Sequence, residues 1–343
     1  MTLFVFNPEH DIALAANLSN FTAPHAGRQL RHDLGFLPAL WAGEDDVVLV
    51  DDVEAVPRTW KRKCKGRLVD KRELGRLPLT AVEPWGWDLA LRAFLLRHGI
   101  DERLLPDEDV IAQVRRLSHR RVAAALLPQL RVEGTVGEAA ECETKEQVAE
   151  IIANYEEAVL KAPWSSSGRG LRFVKRVDLV EGWLKNLLAL QGSVMVEPYY
   201  NKVKDFGMEF SSDGEGRVEY LGLSLFSTAN GAYTGNVLAT ELTKQRILNR
   251  YIPTGLLTEV QQRICKHLGE VFRGCYRGPF GIDMMVIRRD DGNGFLLHPC
   301  VEINLRRTMG HVALSLSPCD DEVLRVMRID YTNNNYKLII RRK

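Results

Sequence analysis

The stretch Val159-Leu160-Lys161-Ala162-Pro163-Trp164-Ser165-Ser166-Ser167-Gly168-Arg169-Gly170-Leu171 decides how this chain is read. Ala158 to Ala162 is an apolar run of strand length, and Leu171 to Val174 reads as its return strand. Small residues fill the loop between them. Small side chains let backbone N–H groups come close to an anion, and glycine lacks the Cβ that would block the approach. Lys161, on the strand just before the loop, supplies a compact positive charge for a phosphate oxygen. The GKS or GKT ending of a Walker A loop is missing, and no Rossmann GxGxxG occurs here. The segment therefore reads either as another kind of phosphate loop or as a plain turn between two strands.

The elements on either side are α/β in texture. Leu3 to Phe6 reads as a short buried strand stopped by Asn7-Pro8, and Val47 to Val50 as a second. Residues 88–98 read as a helix with Asp88 as N-cap. The pattern changes near residue 115, which places a domain boundary there. Ser118 is a candidate cap for a helix carrying Val122, Leu126 and Leu130, broken near Pro128. Thr144 to Gln147 fits a capping box, followed by Val148, Ile151, Ile152 and Tyr155 on one helical face. Asp178 is expected to open another helix, and Ser193 to Tyr200 to form a strand. Residues 258–272 carry Val260, Ile264, Leu268 and Phe272 on one stripe. Phe280 to Ile287 and Phe295 to Ile303 read as a hairpin.

That hairpin carries the second chemical signal. Glu302 and Asn304 lie two apart in Val301-Glu302-Ile303-Asn304-Leu305-Arg306, so they share one face of the strand. In a hairpin, Asp283 can sit across from them. Three oxygen donors on two rigid strands suit Mg²⁺, which prefers carboxylates together with phosphates and water. The same alternation also suits a half-exposed sheet with a solvated face. Arg306 and Arg307 follow at once, and a guanidinium there can grip phosphate or carboxylate.

The order of these pieces resembles the ATP-grasp superfamily over roughly residues 115–315. A strand lysine, a Ser/Gly flap, Val196-Glu197-Pro198, Asp205, a hairpin Asp and Glu-x-Asn-x-Arg follow one another as in that family. The resemblance implies an N-terminal α/β pre-grasp domain (1–115), a small grasp lobe with the flap (116–195) and a large lobe with the metal hairpin and antiparallel sheets (196–343). It implies ATP as cofactor with Mg²⁺ or Mn²⁺. Lys161 would contact nucleotide phosphates, and Ser165, Ser166, Ser167, Gly168, Arg169 and Gly170 would cover them. Glu197 would line the adenine pocket and Asp205 would meet the ribose, where many relatives have Glu. Asp283, Glu302 and Asn304 would hold the metal. Arg306 would stabilise the transferring phosphoryl group, with Lys161 as the second catalytic cation. Arg120 stands where the family usually has a lysine. Glu9, His10, Asp11, Tyr233, Asn236 and Arg307 are candidates for the substrate side, Tyr233 and Asn236 from the turn-rich segment Ser227 to Glu241.

The function so implied is a ligase that activates a small carboxylate as an acyl phosphate for attack by an amine. A kinase-like phosphotransferase and a non-catalytic nucleotide-binding protein are the alternatives on the same fold. Composition agrees with this class. The 343 residues carry 46 basic and 45 acidic side chains, net +1, which excludes a surface coated for polyanions. Arg58 to Arg76 is the exception, with nine basic and two acidic residues. Only Trp60 offers a stacking ring there, so a solvated basic face is expected and nucleic acid is not an expected partner. The six cysteines form no CxxC pair, and no apolar run spans a bilayer, as expected for a cytoplasmic protein. A homo-oligomer is compatible with everything above.

Overall fold

Leu3, Val5, Val47 and Val69 pack on one side of the first sheet with Leu91 and Leu95, and Phe4 and Val48 pack on the other with Ala39 and Ala42. Apolar side chains on both faces are what a parallel sheet between helices requires. The strands are β1 (Thr2–Val5), β2 (Val47–Leu49), β3 (Arg67–Val69) and β4 (Ala81–Pro84), in the order β3-β2-β1-β4, all parallel. The helix Leu89–Arg97 follows β4, and Asp88 caps it by accepting from the Leu91 N–H at 2.9 Å. Around Arg58 to Arg76, three cations pair with acids: Lys61 with Glu54, Arg67 with Glu73 and Arg72 with Asp70.

The structure is a computed structural model that describes residues 1–165, 170–229, 232–320 and 324–342. The chain divides into two compact units. One comprises Met1–Arg115, Gly235–Thr240 and Arg306–Lys343, the other Arg116–Thr234 and Glu241–Leu305.

The second unit begins with a helix at Arg121–Leu126. Arg120 occupies its N-cap without a side-chain cap, so the start lies beyond Ser118. Pro128 then sits in a 3-10 turn, Leu127–Leu130. An antiparallel sheet follows, built from β5 (Ala140–Cys142), β6 (Ala158–Lys161), β7 (Leu171–Val174) and β8 (Val194–Pro198) in the order β5-β8-β6-β7. The expected capping box forms: Thr144 accepts from the Gln147 N–H, and the Gln147 side chain accepts in return. This box opens the helix Lys145–Ile152, which packs Val148 and Ile152 into the sheet core. The helix expected from Asp178 starts at Glu181 instead. Asp178 spends its carboxylate on Arg176, within a 3-10 turn that precedes Glu181–Gln191.

The larger sheet has the order β10-β9-β13-β14 and is also antiparallel. Its strands are β9 (Lys202–Ser212), β10 (Val218–Ser224), β13 (Gly278–Arg288) and β14 (Phe295–Asn304). The helix Thr254–Phe272 packs against β9 and β10, with Val260, Ile264, Leu268 and Phe272 fully enclosed. Phe280 stacks on Phe210 and meets Phe272 edge-on. Replacing Phe280 by alanine should cost about 3–5 kcal/mol, because the enclosed site cannot collapse around the void. Urea denaturation measures that loss. The turn-rich segment after Leu225 contains strands, β11 (Phe226–Ala229) and β12 (Ala232–Leu238).

The chain then returns to the first unit. The end of β12, Asn236 to Leu238, pairs with β15 (Arg325–Thr332), which pairs with β16 (Asn335–Arg342). The Asp33 carboxylate accepts from the Tyr336 N–H at 2.7 Å, and the helix His25–Leu34 packs on β16. Residues 306–343 therefore group with the N-terminal residues, whereas the sequence reading joined them to the large lobe. All six cysteines are free. Among the described residues, no helix is long and apolar enough to cross a membrane.

Candidate functional site

In the second unit, strand periodicity sets the first contact. Val159 on β6 lies opposite Glu197 on β8, so Lys161, two residues on, meets Glu197 diagonally on the same face. Lys161 Nζ lies 2.5 Å from Glu197 Oε2, and both side chains are buried. The pair sits at the root of the Ser/Gly loop. The Ala162 N–H donates to the Gly170 carbonyl at 2.8 Å and closes that root. A Cβ on Gly170 would stand 2.5 Å from the Ser165 side chain, so only glycine fits. Ser166, Ser167, Gly168 and Arg169 lie outside the described residues.

Arg120 joins this root to the other sheet. Its Nη1 donates to the Ala162 carbonyl and to Ser165 Oγ, the latter at 2.9 Å. Its Nη2 donates to Glu302 Oε1 at 2.7 Å. Glu302 lies opposite Asp283 in the β13–β14 register, and Asn304 lies opposite Gly281 on the same side as Glu302. Two partly exposed carboxylates and a buried amide thus share one face. These hard oxygen donors fit Mg²⁺ bound together with phosphate and water. Among the described residues, no group of three His, Cys, Asp or Glu gathers as a metal cluster.

Two groups missed in the sequence lie among these residues. Cys300 is fully enclosed, and burial pushes its thiol up, reinforced by Asp283, Glu197 and Glu302 and opposed by Lys161. His298 is also enclosed, and neither ring nitrogen has a hydrogen-bond partner. Burial, aided by the charge of Lys161, holds its pKa down to about 3. Both lie beside a register shift between Asp283 and Met285, opposite which residues 299–301 of β14 are left without ladder partners. The signal was present as polar residues inside the apolar run Phe295 to Ile303.

The His298 environment gives a signed prediction. An unfolded histidine titrates near 6.5, so between pH 6.5 and about 3 the unfolded chain binds a proton that the folded chain does not. Stability from this group is present above pH 6.5 and is lost as pH falls, by about 1.4 kcal/mol per pH unit for one proton. Urea denaturation at pH 7 and 5 should show a smaller loss for His298→Leu than for the parent chain. Equal losses would contradict the assignment.

Asp205 on β9 accepts from Lys202 Nζ and from Thr228 Oγ1, both at 2.6 Å. Tyr233 is half-buried, and burial pushes its phenol up.

No family model matches the sequence, and no curated protein is similar to it. Solved structures do match, along nearly the whole chain. N5-carboxyaminoimidazole ribonucleotide synthetase from Thermus thermophilus has a TM-score of 0.54 at 14% identity, over 96% of this chain and 83% of that one. The biotin carboxylase domain of Hydrogenobacter thermophilus 2-oxoglutarate carboxylase, solved with MgADP, ADP and bicarbonate, has a TM-score of 0.53 at 14% identity, over 96% and 74%. A protein assigned to the ATP-grasp superfamily from Archaeoglobus fulgidus has a TM-score of 0.51 at 13% identity, over 100% and 99%.

The chain has the ATP-grasp fold.

The remaining candidates lie in the first unit. Arg306 donates from Nε and Nη2 to the Asp11 carboxylate at 2.8 and 2.7 Å, a bidentate pair. Arg307 reaches Glu83 at 3.1 Å and lies over the Trp41 ring. Asn236 is enclosed in β12. His10 is enclosed as well: its Nδ1 lies 3.7 Å from Asp88 Oδ2, and its ring fills the space a Cβ on Gly86 would take. Asn7 completes the junction, donating to the Gly86 carbonyl at 2.8 Å and to Asp88 Oδ2 at 3.0 Å. Glu9 is presented differently. Its Oε1 accepts from Arg31 Nη1 at 2.5 Å, and burial, opposed by Arg31, pushes the carboxyl up.

Proposed function

We propose that the protein is an ATP- and Mg²⁺-dependent ligase that activates a small carboxylate as an acyl phosphate for attack by an amine. The observation that carries this reading is Arg120, which bonds both Glu302 and the root of the Ser/Gly loop beside the Lys161–Glu197 pair, with Asp283 opposite Glu302. Similarity in fold to a biotin carboxylase domain solved with MgADP supports it.

In this reading Lys161 holds nucleotide phosphate oxygens, with Glu197 fixing the ammonium from behind. Ser165 to Gly170 exclude water, which would otherwise hydrolyse an acyl phosphate. Asp205 meets the ribose. Asp283, Glu302 and Asn304 hold the metal, which when bound neutralises phosphate charge. Arg306 serves as the cation for the transferring phosphoryl group, and Tyr233, Asn236 and Arg307 belong to the substrate side. The reaction needs positioned charge rather than a nucleophilic side chain.

The test is ADP release from Mg-ATP with a panel of carboxylates and hydroxylamine as a generic amine. A carboxylate-dependent hydroxamate supports the ligase. A stable phosphorylated product without hydroxamate would identify a phosphotransferase instead.

A further inference from the structure

The first unit contains a cavity of about 450 Å³ at the carboxyl edge of its parallel sheet. Asn7 after β1, Asp51 after β2, Lys71 after β3 and Asp88 after β4 all contribute to its wall. Loops at this edge are where open parallel sheets take ligands. The lining is sorted by depth. Two carboxylates, Glu9 and Asp88, are buried, while the rim carries the exposed cations Arg28, Lys71 and Arg97 and one exposed carboxylate, Asp51. Phe21, Leu91 and Phe94 supply an apolar wall.

Glu9 points to the ligand. Its side chain is only 9% exposed, and Arg31 satisfies one oxygen. The other oxygen, Oε2, is buried with no hydrogen-bond partner. Leaving a buried carboxylate oxygen unpaired is costly, and a ligand N–H would satisfy it. Asp88 is already engaged: one oxygen caps the Leu89–Arg97 helix and the other accepts from Asn7. Glu9 shares its one guanidinium, Arg31, with the exposed Asp51, which lies 3.6 Å from it, so a positive ligand group is the complement at depth. A negative ligand group is the complement at the exposed rim.

We propose that this cavity binds an amino acid or short peptide, with its ammonium on Glu9 Oε2, its carboxylate at the rim cations and an apolar side chain against Phe21, Leu91 and Phe94. Its use as the ligase's substrate rests on the function proposed above; the binding itself does not. The probes are the twenty L-amino acids and a set of L-dipeptides, added to the full chain without nucleotide and followed by thermal shift and calorimetry. At least one apolar member should bind, and the analogues lacking its amine or its carboxylate should each bind at least tenfold more weakly. For phenylalanine these analogues are 3-phenylpropionate and phenethylamine. Glu9→Gln should weaken binding at least tenfold, and the exposed Arg97→Ala should weaken it less.

Absence of binding across the panel would overturn the proposal, as would an amine-free analogue that binds as well as its parent. Mg-ATP binding without amino-acid binding would remove this site and leave the nucleotide reading intact. Amino-acid binding without ATP turnover would keep the site and remove the ligase.

Discussion

Lys161→Ala is expected to lower Mg-ATP-dependent ADP release by at least about 100-fold, the loss typical when one preorganised charge is removed from a dry site. The ammonium is held on β6 at 2.5 Å from Glu197, so little reorganisation is needed for it to serve a phosphate. The substitution has a second cost. It leaves Glu197 buried without its partner, which destabilises a fold by about 3–5 kcal/mol. A loss of activity could therefore reflect unfolding alone. Lys161→Met combined with Glu197→Gln separates the two effects, because it removes both charges and keeps the volume. This pair should regain most of the stability and none of the turnover. Thermal denaturation and an ADP assay on the same samples check both, and undiminished turnover in Lys161→Ala would remove Lys161 from the site.

Glu302→Ala should also reduce turnover by at least about 100-fold, since a metal contributes several kcal/mol of charge stabilisation to such a transfer. Glu302 has two neighbours to account for, Asp283 opposite it and Arg120 bonded to it at 2.7 Å. Glu302→Gln distinguishes their roles. Its amide oxygen can still accept from Arg120, but the negative charge is gone. If Glu302 acts through the metal, Glu302→Gln remains inactive and needs more Mg²⁺ for half its residual rate. Recovery of activity in Glu302→Gln would make Glu302 a positioning residue for Arg120.

The parts of the site that were legible in the sequence are those set by local periodicity. Lys161 ends an apolar strand, Glu302 and Asn304 alternate with buried Ile303, and Thr144 with Gln147 forms a box across three residues. The parts that were not legible depend on distant pairing. Arg306 meets Asp11 across 295 residues, and nothing local to either residue announces that bond. Asn236 reads as a turn residue but lies in a strand, because β15 supplies its ladder partner. The same pairing draws 306–343 to the N-terminal residues. His298 and Cys300 were obscured because each stands inside an apolar run, and most of the charged groups near them lie far off in the sequence. Ser118 and Asp178 were plausible caps by type, yet Arg120 and Val180 hold those positions.

The central claim is that the Lys161, Glu197, Asp283 and Glu302 cluster is a Mg-nucleotide site. Titration calorimetry of ATP into the full chain, with and without Mg²⁺, tests it most directly. The account predicts one ATP per chain, bound at least about tenfold more tightly with Mg²⁺, a difference of about 1.4 kcal/mol. That gain should disappear in Glu302→Gln. No ATP binding in the presence of Mg²⁺, or binding that is the same in the parent chain and in Glu302→Gln, would contradict it.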